Sequence, residues 1–183
     1  MVDLDTFVEN CKAALADDDP TAKVEALVRD AIADPEGLHN AFGQRITGKS
    51  LRDRILYHDD ELTVLQVATV PGLQSPVHNH NMWAVIGVYT GREDNIFWRR
   101  VADAEDGYIE AAGAESLGLK DATSLGRDII HSVTNPLSKL TGAIHIYGGD
   151  FFRIDRSEWD PESHTERAYD MKKNLRLLEA MDA

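Results

Sequence analysis

Between residues 52 and 155 the chain is a succession of short runs rich in β-branched and aromatic residues: RILYHD, ELTVLQVATV, MWAVIGVYTG, NIFWRRV, GYIEAA, IIHSVTN and LTGAIHIYG. Turn signals (PGLQSP, TGRED, DAEDG and NPLSK) separate several of them. Many short strands with no helix between them can bury their apolar faces only against one another. The pattern therefore predicts an all-β core, an antiparallel sandwich or barrel.

The flanks differ in texture. Residues 1–50 read as helical. Leu4, Phe7, Val8, Cys11, Ala14 and Leu15 keep helical spacing, and Asp19 before Pro20 reads as an N-cap followed by proline at the first helical position. Val24, Leu27, Val28 and Ile32 supply the apolar stripe of that second helix, which Asp34 and Pro35 punctuate. Residues 156–183 are polar and charged, and read as a tail ending in a helix over KKNLRLLEAMDA. At 183 residues, one domain is expected. The net charge of −13 argues against tracking a phosphate backbone, so no nucleic-acid partner is expected. No apolar run reaches membrane-spanning length, and MVDLDTFVEN does not read as a secretory signal. Cys11 is the single cysteine, and a cytoplasmic location is expected.

Seven histidines are present, and their placement is informative. In PVHNHNMW, His78 and His80 lie two apart in an extended segment, so both rings leave the same strand face. Two neutral imidazoles converging in this way make two corners of a divalent-metal site. His131 sits in IIHSVTNP with Asn135 four residues on, and His145 and Tyr147 share a face in AIHIY. A histidine among aliphatic residues on a half-buried strand needs a hydrogen-bond or metal partner. His39, His58 and His164 are expected at the surface, and Cys11 is expected to be packed.

These residues carry a resemblance. PGLQSPVHNHNMWAVIGVYTG resembles the first cupin motif, and GRDIIHSVTN resembles the second. The spacing of the two, with AIHIYGGDF, is most similar to the cysteine dioxygenase-like branch of cupins, the thiol dioxygenases. The resemblance spans about residues 52–155. It implies a single cupin domain, a double-stranded β-helix (jelly-roll barrel) with N-terminal helices and a short C-terminal helix. It further implies a mononuclear non-haem Fe(II) centre held by His78, His80 and His131. Many cupins add a glutamate ligand where this chain has Ala84 and Val85, and its absence matches the thiol dioxygenases; Glu93 lies beyond the Gly91 turn, too far on to replace it. The branch's Ser-x-His-x-Tyr run corresponds to Ala143, His145 and Tyr147, so the serine is missing and the catalytic pair His145 and Tyr147 remains. Val85 stands where the animal enzymes carry the cysteine that cross-links to the tyrosine. An arginine from an early strand binds the substrate carboxylate in that branch; Arg54 and Arg52 are the candidates here. A homodimer is the assembly that the resemblance implies.

The chemistry implied is addition of both atoms of O2 to the sulfur of a small, carboxylated thiol, giving a sulfinate. Trp83, Met82 and Phe97 are candidates for the pocket wall, with plain core packing the competing role. Two other readings fit the same residues. One is a different metal-dependent cupin reaction on Zn(II), Mn(II) or Ni(II). The other is a non-catalytic metal- or ligand-binding cupin.

Overall fold

The computed structural model describes residues 2–45 and 51–174, the side chains of residues 45, 51 and 52 excepted. Three helices come first: α1 (Leu4–Ala14), α2 (Pro20–Ile32) and α3 (Pro35–Arg45). Asp19 caps α2 by accepting from the Ala22 amide at 3.0 Å, with Pro20 in the first turn. Asp34 does the same for α3 through the Gly37 amide, so the Asp34–Pro35 pair opens a third helix as well as closing the second. A 3-10 turn, Leu51–Arg54, leads into the strands.

Among the described residues eleven strands follow, forming two antiparallel sheets. β1 (Ile55–His58), β2 (Thr63–Thr69), β4 (Ala84–Thr90), β7 (Ala122–Leu125) and β9 (Thr141–Tyr147) make a five-stranded sheet in the order β1-β2-β9-β4-β7. The other six are β3 (Val77–Asn79), β5 (Glu93–Arg100), β6 (Ile109–Leu117), β8 (Ile130–Thr134), β10 (Ser157–Trp159) and β11 (Glu166–Ala168), in the order β11-β10-β3-β8-β5-β6. This is the expected all-β core with N-terminal helices. A helix begins again at Met171, and its continuation beyond residue 174 lies outside the described residues. The sheet departs from the expected boundary at 155: β10 and β11 come from the stretch expected as tail. SEW and ERA are three residues each and carry no long apolar alternation, so nothing in their pattern announces a strand.

Alternation along the strands sorts the core. Outward residues of the five-stranded sheet, Val64, Val85, Tyr89, Ile144 and Ile146, pack under Phe7, Val8, Cys11, Val24, Val28, Ile32 and Phe42 of the helices. Inward residues Leu65, Ala84, Ile86, Val88 and Ala143 meet Phe97 and Leu117 of the opposite sheet. The floor of the barrel is thus apolar, and the polar residues described next stand out against it. Among the described residues, no helix is long and apolar enough to cross a membrane.

Candidate metal centre

His78 lies on β3 in register with His131 on β8, and the two rings share the inner face of the six-stranded sheet. His80 follows just past the end of β3. Its Nε2 is 3.1 Å from Nε2 of His78 and 3.5 Å from Nε2 of His131. The local sequence explains the convergence. In His-Asn-His-Asn the histidines point in and the asparagines tie the strand down: Asn79 accepts from the Ser157 amide at 2.8 Å, and Asn81 donates to the Asp155 carbonyl at 2.8 Å. Asn81 adopts φ 53°, a left-handed conformation that asparagine tolerates, and this turns the chain at the edge of the cluster.

The hydrogen bonds at the far side of two rings fix their tautomers. His78 Nδ1 faces the Pro76 carbonyl at 2.9 Å, which can only accept. His131 Nδ1 faces Asn95 Oδ1 at 2.8 Å. Both rings therefore carry their proton on Nδ1 and turn a bare Nε2 lone pair toward His80. Burial is the main cause that pushes His78 down to about 4, and it holds His80 and His131 well below the ordinary imidazole range. His78 and His131 thus turn two bare lone pairs toward His80, and with the neutral His80 ring as a third donor the set fits a divalent metal. Among the described residues, no carboxylate joins the group.

Behind the cluster, Tyr147 packs edge-on against His80, with ring centroids 5.0 Å apart, and its hydroxyl lies 3.0 Å from Nδ1 of His145. Burial raises the Tyr147 phenol above its ordinary range, keeping it protonated at neutral pH. Its cross-strand neighbours are Ala84 on β4 and Thr63 on β2; Val85, taken in sequence for the cross-link position, faces the helices. Met82 and Phe97 do line the interior, Phe97 in register with His131, whereas Trp83 packs toward the helices. Asn135, of the second motif, is fully buried and serves as a turn latch, donating to the Thr69 and Lys139 carbonyls. Among the remaining histidines, His39 and His58 are exposed and His164 half-buried.

Of the two expected arginines, only Arg54 has a described side chain, and the neighbour it acts on is Tyr89. Burial raises the Tyr89 phenol, with the nearby Arg54 charge offsetting a small part of it, and Tyr89 faces the helices on the opposite side of the sheet; Arg52's side chain lies outside the described residues. The cation that acts on the histidines is Arg156, just before β10, at 6 % exposure. Its guanidinium is sandwiched 4.1 Å from the Phe151 ring and 4.2 Å from Tyr169. Phe151 packs on Tyr147 and Tyr169 packs on His78, which sets Arg156 at the edge of the centre. Its positive charge helps to lower all three histidines. Its Nε and Nη1 have no hydrogen-bond partner. Glu158, two residues on, is already held by Arg167 at 2.8 Å and Asn174 at 2.7 Å. A desolvated cation without an anion is costly, so this fork is a ready receptor for a carboxylate. Sequence reading missed it because Arg156 sits outside the motifs, in a polar stretch.

No family model matches the chain. Among solved structures it is similar to oxalate decarboxylase from Bacillus subtilis, at 15% identity over 51% of this chain and 22% of that one, with a TM-score of 0.40. It is similar to a cupin 2 conserved barrel domain protein from Salinispora arenicola (18% identity, 48% and 62% covered, TM-score 0.37). It is also similar to an RmlC-like cupin family protein with a double-stranded β-helix fold from Methanocaldococcus jannaschii (10% identity, 54% and 79% covered, TM-score 0.43). The match thus spans about a fifth of the decarboxylase chain.

Proposed function

We propose that the protein is an Fe(II)-dependent thiol dioxygenase acting on a small carboxylated thiol. The observation that carries this reading is a neutral three-histidine face, free of carboxylate ligands, set beside a buried phenol and an unpaired guanidinium. His78, His80 and His131 would hold the iron. Bound there with its full 2+ charge, ferrous iron would favour a thiolate and bring it together with O2. The balance is closed without a further reductant: the thiol sulfur loses four electrons, O2 gains them, and both oxygen atoms end on sulfur as the sulfinate.

The chain's own residues set the geometry. Arg156 binds the carboxylate through Nε and Nη1, its plane held by Phe151 and Tyr169. Tyr147, protonated and kept in place by His145, presents its hydroxyl beside His80 and orients the reacting end of the substrate. Phe151 and Met82 keep bulk water from that side.

The test is metal analysis after anaerobic purification, with O2 uptake measured against cysteine, 3-mercaptopropionate, mercaptosuccinate and cysteamine. Iron with uptake on the carboxylated thiols, and little on cysteamine, is expected. Arg156→Ala should raise KM for the carboxylated substrate by about 10- to 100-fold, the loss of a charged hydrogen-bonded contact. Arg54→Ala should leave KM unchanged. Zinc in the site with no thiol-dependent uptake overturns the proposal in favour of a non-redox reaction.

A further inference from the structure

Two buried polar atoms across the barrel from each other have no hydrogen-bond partner: Oε2 of Glu93 and Nε2 of His145. They are 3.6 Å apart. Glu93 is 1 % exposed and opens β5 in the six-stranded sheet, while His145 lies on β9 in the five-stranded sheet, so the contact bridges the two sheets. The register neighbours of His145 are Leu65 on one side and Ile86 on the other, and Ala143 precedes it on the same face. None of these can receive a proton from Nε2. Glu93 thus brings an acceptor to that edge of the ring, where the side chains of Leu65, Ile86 and Ala143 offer none.

We infer that Glu93 is a positioning residue, which selects the tautomer of His145 and through it the direction of the Tyr147 hydroxyl. An imidazole with its proton on Nδ1 would turn a bare lone pair toward the Glu93 carboxylate, which is repulsive. With the proton on Nε2, the ring donates to Glu93 and Nδ1 becomes an acceptor. Tyr147 must then donate to His145 across the 3.0 Å contact, leaving its oxygen lone pairs free for the metal-facing side. A distance a few tenths of an ångström beyond hydrogen-bond reach is common for such contacts before substrate is bound.

The same carboxylate is linked to the ligand set. Glu93 Oε1 accepts from Asn95 Nδ2 at 3.2 Å, and Asn95 Oδ1 accepts from His131 Nδ1. One chain of contacts thus runs from His131 through Asn95 to Glu93, across the 3.6 Å gap to His145, and on to Tyr147, and with Glu93 as a carboxylate each donor along it faces an acceptor. Its sense rests on His131 turning Nε2 to a metal, and so on the proposed function.

That sense gives a sharp test in Glu93→Gln. The amide oxygen must face the Asn95 donor, so the amide NH2 faces His145 Nε2, and the tautomer reverses. Long-range 1H–15N spectra of the zinc(II)-loaded, diamagnetic protein read this directly. Wild type should show His145 protonated at Nε2, and E93Q protonated at Nδ1, with zinc content unchanged. Glu93→Leu, which offers neither group, should show a mixture. In the iron-loaded protein E93Q should lose about 10- to 100-fold in kcat, with KM for the thiol little altered. An Nδ1–H tautomer in wild type, or the same tautomer in wild type and E93Q, overturns the inference. Absence of thiol-dependent O2 uptake in wild type overturns the proposed function and leaves the tautomer result standing.

Discussion

Among the described residues no carboxylate pairs with Arg156, whose Nε and Nη1 have no partner while Nη2 donates to the Met171 sulfur at 3.7 Å, and burial pulls its pKa below the ordinary arginine range. A residue kept for stability would not be arranged so, because an apolar side chain of similar length could fill the same slot between two rings. Arg156→Met should therefore leave the melting temperature of the substrate-free protein unchanged or raise it, while abolishing preference for carboxylated thiols. A clear fall in melting temperature would mean that the guanidinium is structural. Asn95 makes the complementary case. It is fully buried and orients His131 through a 2.8 Å bond, so Asn95→Ala should weaken metal binding about 10- to 100-fold in a competition titration with a chelator. The residues split in how readily sequence reveals them. His78, His80, His131, His145 and Tyr147 are legible because period-two spacing puts them on shared faces. Arg156, Glu93 and Asn95 are not, because their roles arise across strands that lie far apart in the chain.

At the scale of elements, the helices and the long strands follow from local pattern, whereas β10 and β11 do not. Their placement comes from pairing, with Glu158 in register against His78, and not from any apolar run of their own. The seat of α2 on the barrel turns on one position. Gly87 of β4 faces outward, and a Cβ there would stand 2.3 Å from Cγ1 of Val28 and 3.1 Å from Cγ2 of Ile32. Gly87→Ala must push the helix away from the sheet, and should cost about 1–3 kcal/mol in urea unfolding. The inner face of β4, with Ala84 and Ile86, is untouched by that change, so metal affinity of the folded fraction should hold. Loss of metal binding in a folded G87A protein would show that the helical layer supports the centre more directly than the packing implies.

For the molecule as a whole, the centre ties stability to pH and to metal. In the unfolded chain His78, His80 and His131 titrate near 6.5. In the folded, metal-free protein burial keeps them neutral far lower, to about 4 for His78. As pH falls from 6.5, the unfolded state takes up protons that the folded state refuses, so stability declines with acid in that window. Each ring adds up to about 1.4 kcal/mol per pH unit to the slope. Metal occupies the same lone pairs in the folded state only, so at 100-fold excess over its dissociation constant it should add about 2.7 kcal/mol near neutral pH. That gain should shrink as protons compete for the ligands. Urea midpoints of the metal-free protein between pH 7.5 and 4.5, with His80→Gln as reference, measure the effect: the wild-type profile should be the steeper by the titration of one ring. A reference profile as steep as wild type would mean that the His80 ring is not held neutral by its burial, and the third neutral donor for a metal would go with it.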